Sequence, residues 1–364
     1  MWSGNTTEKK NYRILIMGPS IYWVELVARY LQRHGYVCEI AEPKWLLHLL
    51  LWLVRGDWRG YDTIYRVAGS GIWMYNFILA CTGKPIVWHW IGSDVLLLRQ
   101  SRLARFVQKF MHRHNITYWP RLHAADSPDV QRELHGLGIQ ADLIRLLPER
   151  IEAPVEPLPE TFTVLSYWVE NRKTFYGGDI VLRLAREMPD VRFLILGAPE
   201  EDQADLGNVR FLGWQEKLEP FYTQASVLIR LPEHDSLSAM VLEMLARGRY
   251  VIYNNKMHGC HFARNYAETK ETLQQIRKRN TPNHAGARYI QENFSVPRQA
   301  QTTAQLCRRS IQRDRSDKLR ARSNWITLAL RVIFVPVIFV YLVRLSASKI
   351  ILRLKNRSPD STLS

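Results

Sequence analysis

The feature that most constrains the fold is a repeated alternation of short, almost wholly apolar runs with helical patterns. Arg13 to Met17 ends at the turn Gly18-Pro19-Ser20, a helical pattern follows from about Tyr22 to Arg33, and Gly35 stands where a helix C-cap belongs. Val37 to Ile40, Thr63 to Val67 and Pro85 to Trp90 continue the series. Runs this short and this apolar are strands covered on both faces, and their separation by helices predicts βαβ units on a parallel sheet. Four prolines between Pro148 and Pro159 interrupt the pattern and read as a linker. The alternation then restarts. Strands are expected at 162–167, 191–196, 209–212, 225–230 and 250–253, with helices at 179–187 and 238–247. The chain thus reads as α/β, two doubly wound domains joined by a linker, with the carboxyl ends of both sets of strands facing a ligand cleft.

Charge sets the C-terminal part apart. Between residues 295 and 357 fourteen Lys/Arg face two Asp, a net of +12 out of the chain's +16. The body is therefore only mildly basic. Within this stretch lies the longest apolar run, Trp325 to Val343, interrupted by Arg331. Its length is close to the roughly 20 residues a helix needs to cross a bilayer. Ser346 to Arg357 alternates Ile350, Ile351, Leu352 and Leu354 with Lys349, Arg353, Lys355 and Arg357, as in a helix lying on an anionic surface. Spanning, interfacial and core placements of 325–343 all stay open, but a membrane fits this pattern better than nucleic acid, for which no motif is present. A polar Met1 to Asn11 and four scattered cysteines (Cys38, Cys81, Cys260, Cys307) suit the cytoplasmic side, without a signal peptide or disulfide framework.

Three segments carry a resemblance. Pro85 to Asp94 ends in Gly92-Ser93-Asp94. Ala124 to Pro128 is followed by Glu133 to Gly138. Pro232 to Ile252 places Asp235 and Glu243 eight positions apart, around a serine-rich turn and an apolar helix. Together they resemble the GT-B-fold glycosyltransferases, in particular the large retaining bacterial family with the Glu-x7-Glu motif (family 4, group 1), over about residues 12–295. The resemblance implies a GT-B fold with an N-terminal Rossmann-like acceptor domain (1–150) and a C-terminal nucleotide-sugar domain (151–295); it does not cover 296–364, which the charge and apolar pattern mark as a basic membrane-associated tail.

The residues of the last segment support a ligand site in their own right. Ser236 or Ser238 can cap the helix, whose unpaired N–H groups and dipole suit a diphosphate. Glu243 sits in the apolar stretch Val241 to Leu245, where an idle charge is costly, and a carboxylate can accept bonds from two adjacent ribose hydroxyls. The resemblance implies that Glu243 holds the ribose and that Asp235, standing for the first Glu, lies near the donor sugar as a catalytic residue. Arg172 and Lys173 are candidate diphosphate cations, because Tyr176 occupies the position where the family carries Lys. Asp94 is a second candidate catalytic residue, with a helix-capping role as the alternative. The family's His position is Ile91. His89 would share its strand face and could compensate, or could be a structural core histidine. Gly18, in place of the family's Gly-rich loop, would let the backbone come close to a ligand.

No cofactor is expected, the nucleotide-diphosphate sugar being a co-substrate, and no metal, since the spacing in His258 to His261 matches no zinc pattern. Trp45–Val54 and the amphipathic Ser101–Asn115, with its basic face, read as membrane-contacting helices or as ordinary core-facing ones. The expected function is hexosyl transfer, with retention, to a lipid-linked or envelope glycan at the cytoplasmic face of the membrane. The alternative is a non-catalytic GT-B member serving as a membrane-associated scaffold.

Overall fold

The computed structural model describes residues 12–41, 49, 51–52, 55–68, 79, 82–102, 105–106, 122–198 and 206–320, with side chains to 313. Backbone contacts divide the chain into two compact units, 1–144 with 300–364 and 145–299.

The first unit holds a six-stranded parallel sheet in the order β2-β1-β3-β4-β5-β6. Its strands are β1 (Arg13–Met17), β2 (Val37–Ala41), β3 (Thr63–Val67), β4 (Ile86–Trp90), β5 (Leu122–Ala125) and β6 (Asp142–Leu143). Helices α1 (Ile21–Gln32), α2 (Ser93–Gln100) and α3 (Pro128–Gly136) connect them. Every residue of β3 and β4 is buried, as continuous apolar runs require in a doubly covered sheet. Since β1 leads outward to β2 on one side and to β3 on the other, strand order reverses between β1 and β3. In open α/β sheets that is where ligands bind.

The second unit repeats the plan in the order β12-β11-β10-β7-β8-β9, again all parallel. Its strands are β7 (Thr163–Tyr167), β8 (Arg192–Leu196), β9 (Val209–Phe211), β10 (Val227–Arg230), β11 (Tyr250–Tyr253) and β12 (His261–Phe262). Its helices are α4 (Gly178–Glu187), α5 (Glu219–Gln224), α6 (Ala239–Ala246), α7 (Tyr266–Arg277) and α8 (His284–Asn293). A core built on Trp168, Val181, Phe193, Ile195, Val227 and Ile252 fills the space between sheet and helices. Here the order reverses between β7 and β10.

Two boundaries differ from those read in the sequence. The proline-rich 148–159 segment is not a free linker but lies on the second unit. Ile151 is buried, and the fully buried Arg249 binds the carbonyls of Glu156 and Pro157 and the Glu156 carboxylate (2.9 Å). The basic C-terminal stretch begins inside a packed helix, α9 (Val296–Arg320). Ala304, Leu306, Cys307 and Ile311 are buried, Tyr36 donates to the Ala304 carbonyl (3.1 Å), and Arg309 pairs with Asp142. Several of its arginines therefore line the outer face of a structural helix. No helix among the described residues is long and apolar enough to cross a membrane. Residues 325–343 and 346–357, and most of 45–54 and 101–115, lie outside the described residues.

Candidate functional site

The reversal point of the second sheet is framed by the last residues of β7 and β10, Tyr167 and Arg230. Two glycines let the chain close tightly there. Gly177, at φ +75°, takes a left-handed conformation that an L side chain rarely adopts, and a Cβ on it would stand 2.7 Å from Leu231 Cβ. A Cβ on Gly178, the first residue of α4, would meet Lys173 Cγ at 2.5 Å and the Trp168 ring at 3.1 Å. The amide of Glu233 donates to the Phe175 carbonyl (2.8 Å), which ties the loop after β10 to the turn before α4.

Arg230 and Asp235 form the centre of this edge. Asp235 accepts Arg230 Nε at 2.6 Å on Oδ2 and Nη2 at 3.1 Å on Oδ1, a two-pronged pair with both side chains 13% exposed. Tyr253 OH donates to Oδ2 (2.9 Å) and the Ser236 amide to Oδ1 (3.1 Å). Burial works against the Arg230 charge, but the charge and hydrogen bonds of Asp235 outweigh it and hold the guanidinium pKa above its ordinary value. Asp235 was expected to face a donor sugar. Instead, four protein donors occupy its carboxylate, and Ser236 serves it through the backbone.

Around that pair stands an aromatic frame. Arg230 Cζ lies 5.6 Å from the Tyr176 ring centroid and 6.0 Å from that of Tyr167, while Arg172 Cζ lies 5.5 Å from Tyr176 and 4.0 Å from Phe175. Arg172 is exposed and makes no side-chain hydrogen bond among the described residues. Lys173 is engaged differently, its Nζ 3.5 Å from Asp179 Oδ1, so of the two expected cations Arg172 has the less committed charge.

Helix α6 contributes the third part. Ser238 is its N-cap by position, but its side chain makes no cap hydrogen bond. From Met240 to Ala246 every residue is buried, the carboxylate of Glu243 included. Glu243 Oε2 accepts Tyr222 OH at 2.5 Å, whereas its buried Oε1 has no hydrogen-bond partner among the described residues. Burial pushes the Glu243 pKa up, and the Tyr222 hydroxyl and the nearby Arg150 and Arg247 hold it down. Arg247 donates to the carbonyls of Glu243 and Arg150, and Arg150 pairs with Glu219 (2.5 Å). Glu243 is buried, as its place in an apolar stretch predicts. Its enclosure by Tyr222 could not be read from the motif.

In the first unit, Gly18 follows β1 at the reversal point. A Cβ there would lie 2.6 Å from the Val67 carbonyl and 2.8 Å from Val24 Cγ1, so the glycine permits the approach of β3 and α1. His89 is fully buried, which corrects its expected substrate contact. Its Nδ1 is 2.7 Å from Tyr65 OH and its Nε2 is 2.9 Å from the Ile144 carbonyl. Since a carbonyl only accepts, Nε2 carries the proton and Nδ1 accepts from the tyrosine. Burial lowers the ring's pKa to about 4, and the Ile144 bond offsets this only in part. This is a core histidine. Asp94 is 2% exposed, and its Oδ1 accepts the amides of Ile91 (3.2 Å) and Val95 (3.0 Å), closing the Gly92 turn at the start of α2. These two bonds tie Asp94 to the backbone of the turn that opens α2, whose N-cap position is Gly92.

Among the described residues no group of three His, Cys, Asp or Glu side chains could hold a metal ion. In the 258–261 segment the His258 ring lies 4.9 Å from that of Tyr289, tilted by 53°, and burial pushes the Cys260 thiol up to about 12. Sequence reasoning missed Arg230, Tyr253 and Tyr222. Arg230 had a visible signal, since it ends an otherwise apolar strand five residues before Asp235.

No protein-family model matches the chain, and neither does any curated protein. Among solved structures it is similar to sucrose-phosphate synthase from Thermosynechococcus elongatus, at 15% identity over 82% of this chain and 98% of that one, with a TM-score of 0.63. HepE from Anabaena, in complex with UDP and glucose, shares 14% identity over 81% of this chain and 98% of its own, with a TM-score of 0.61. A glycosyltransferase from Rickettsia africae shares 13% over 83% and 99%, with a TM-score of 0.60. At such identities the likeness is one of fold. The chain has the GT-B fold, two parallel-sheet α/β domains, that these proteins share.

Proposed function

We propose that the chain is a glycosyltransferase that takes a hexosyl group from a nucleotide-diphosphate sugar bound by its second unit. The reading rests on one observation: at the carboxyl-end reversal point of that unit's sheet, Arg172, exposed and without a side-chain hydrogen bond among the described residues, lies against the Tyr176 ring that Arg230 also approaches. Support comes also from α6, whose N-terminus has no side-chain cap and whose Glu243 has a buried Oε1 without a hydrogen-bond partner among the described residues. Arginine donors and the helix N-terminus suit a diphosphate, and a carboxylate suits ribose hydroxyls. Glu243 would reach a ribose by a shift of Tyr222 from its Oε2, or through Oε1 once α6 and its neighbours adjust. That similar folds are known with UDP and glucose bound supports this donor class.

The acceptor we propose is a lipid-linked or envelope glycan at the cytoplasmic membrane face, with transfer by retention. The leaving diphosphate would assist front-face displacement at the anomeric carbon. Support for the location comes from the +12 of net charge beyond 295 with the apolar 325–343 run, and from exposed Leu97 and Phe106 near Arg99 and Arg102. The test incubates the purified full chain in detergent with UDP-, GDP- and ADP-sugars and membrane lipid. A labelled glycolipid with the donor's anomeric configuration is expected, and release of nucleoside diphosphate without dependence on lipid would refute the acceptor class. The engagement of Asp235, Asp94 and His89 by protein groups favours one second reading, a non-catalytic scaffold, which predicts no turnover with any donor.

A further inference from the structure

Arg230 has five N–H donors, and Asp235 takes two of them, on Nε and Nη2. Nη1, with two hydrogens, and the second hydrogen of Nη2 have no hydrogen bond among the described residues. Bidentate pairing with Asp235, itself fixed by Tyr253 and Ser236, leaves the guanidinium no freedom to turn away. This arginine and Arg172 share the Tyr176 ring as a neighbour, with the two Cζ atoms 5.6 and 5.5 Å from its centroid. Two guanidinium groups with donors to spare thus approach one ring, at the sheet edge where strand order reverses, beside the tight Gly177-Gly178 entry into α4. Asp235 neutralises one of the two, so the pair retains a net positive charge.

We propose that Arg230 contacts the diphosphate of the donor together with Arg172, and that Asp235 is the positioning residue that aims it rather than a group acting on the sugar. The proposal rests on the donor class argued above. Asp235 locks one edge of the guanidinium, and the phosphate oxygens accept from the other, so Arg230 bridges an internal carboxylate and an external anion. A buried arginine pre-positioned in this way loses little side-chain freedom when the ligand arrives. The assignment explains why the acid at 235 is saturated by protein donors. It also explains why an apolar strand ends in arginine at this edge.

The experiment compares binding of UDP, GDP and ADP with binding of uridine, guanosine and adenosine by calorimetry on the full chain. In the wild type one diphosphate should bind more tightly than its nucleoside. Arg230→Gln should weaken that diphosphate roughly 10- to 100-fold, the usual range for a lost charged hydrogen-bond pair, and leave the nucleoside unchanged. Asp235→Asn should also weaken the diphosphate selectively, whereas a merely structural role would weaken both ligands alike. Because Arg230→Gln leaves Asp235 unpaired, R230Q/D235N removes both charges, and Arg230→Lys keeps a charge without the fork. The first should match Arg230→Gln, and the second should lose a few-fold. Diphosphate affinity unchanged in these variants, or an equal loss for nucleoside and diphosphate, would overturn the role of Arg230. A wild type that binds no diphosphate at all would instead overturn the donor reading on which it stands.

Discussion

Replacing Tyr222 by Phe removes one oxygen and little else, since the ring is fully buried and its packing is retained. That oxygen supplies the hydrogen bond to Glu243 Oε2, at 2.5 Å, while Oε1 has none among the described residues. The variant therefore leaves a buried carboxylate with no side-chain donor on either oxygen. A hydrogen bond to a charged group contributes about 1.5–3 kcal/mol, and at roughly 2–4 °C per kcal/mol for a domain of this size the melting point should fall visibly. The loss should depend on pH in a defined direction. Burial raises the Glu243 pKa above that of an unfolded glutamate, so the folded protein favours the protonated form. The stability this group contributes is full below the unfolded pKa and is lost as pH rises through the folded one. The Tyr222 hydroxyl limits that loss by stabilising the ionised form. Tyr222→Phe should then be mild near pH 4 and most severe at neutral pH. Urea unfolding at several pH values, with Glu243→Gln and the double variant, measures the coupling between the two groups. Additive effects, or a penalty that does not change with pH, would refute this account of the pair.

Arg249→Met strips the internal anchor from the 156–157 segment and should cost about 3–5 kcal/mol, as when one partner of a buried ion pair is removed; limited proteolysis should then cut near Pro157. Protonating the buried His89 should destabilise the first unit. Its pKa falls from about 6.5 to about 4 in the folded state, so its contribution is present above pH 6.5 and lost as pH falls to 4, about 3 kcal/mol in all. Acid unfolding curves should show this slope in the wild type and lack it in His89→Gln. Gly177→Ala combines a φ of +75° with a Cβ 2.7 Å from Leu231 and should cost about 1–3 kcal/mol together with weaker nucleotide binding, read by thermal shift with and without UDP.

Most of the sheet framework was legible because buried parallel strands are continuous apolar runs. β1, β3 and β11 match the expected runs to the residue, and α6 lies within one residue of its expected ends. β5 was missed because Leu-His-Ala-Ala has little strand propensity, and its pairing with β4 and β6 decides the matter. The two-residue strands β6 and β12 are edges too short for any periodic signal. Prolines at 148–159 looked like a linker because the grip that holds them belongs to Arg249, about ninety residues away in sequence. The same distance problem governs the site. His89 could be placed on a strand face, but not between a tyrosine hydroxyl and a carbonyl 55 residues on. Asp235 stood out by its spacing to Glu243, while its engagement by Tyr253 depends on the register of β10 with β11.

Equilibrium binding of nucleoside diphosphates to the full chain tests the central claim most directly. UDP, GDP and ADP are titrated into the wild type and into Glu243→Ala, with circular dichroism confirming that both are folded. One diphosphate should bind the wild type saturably, and binding should be at least about tenfold weaker in Glu243→Ala, since a ribose contact to a charged group is lost. A folded wild type that binds none of the three, or a Glu243→Ala protein that binds as well as the wild type, would contradict a nucleotide-sugar site in the second unit.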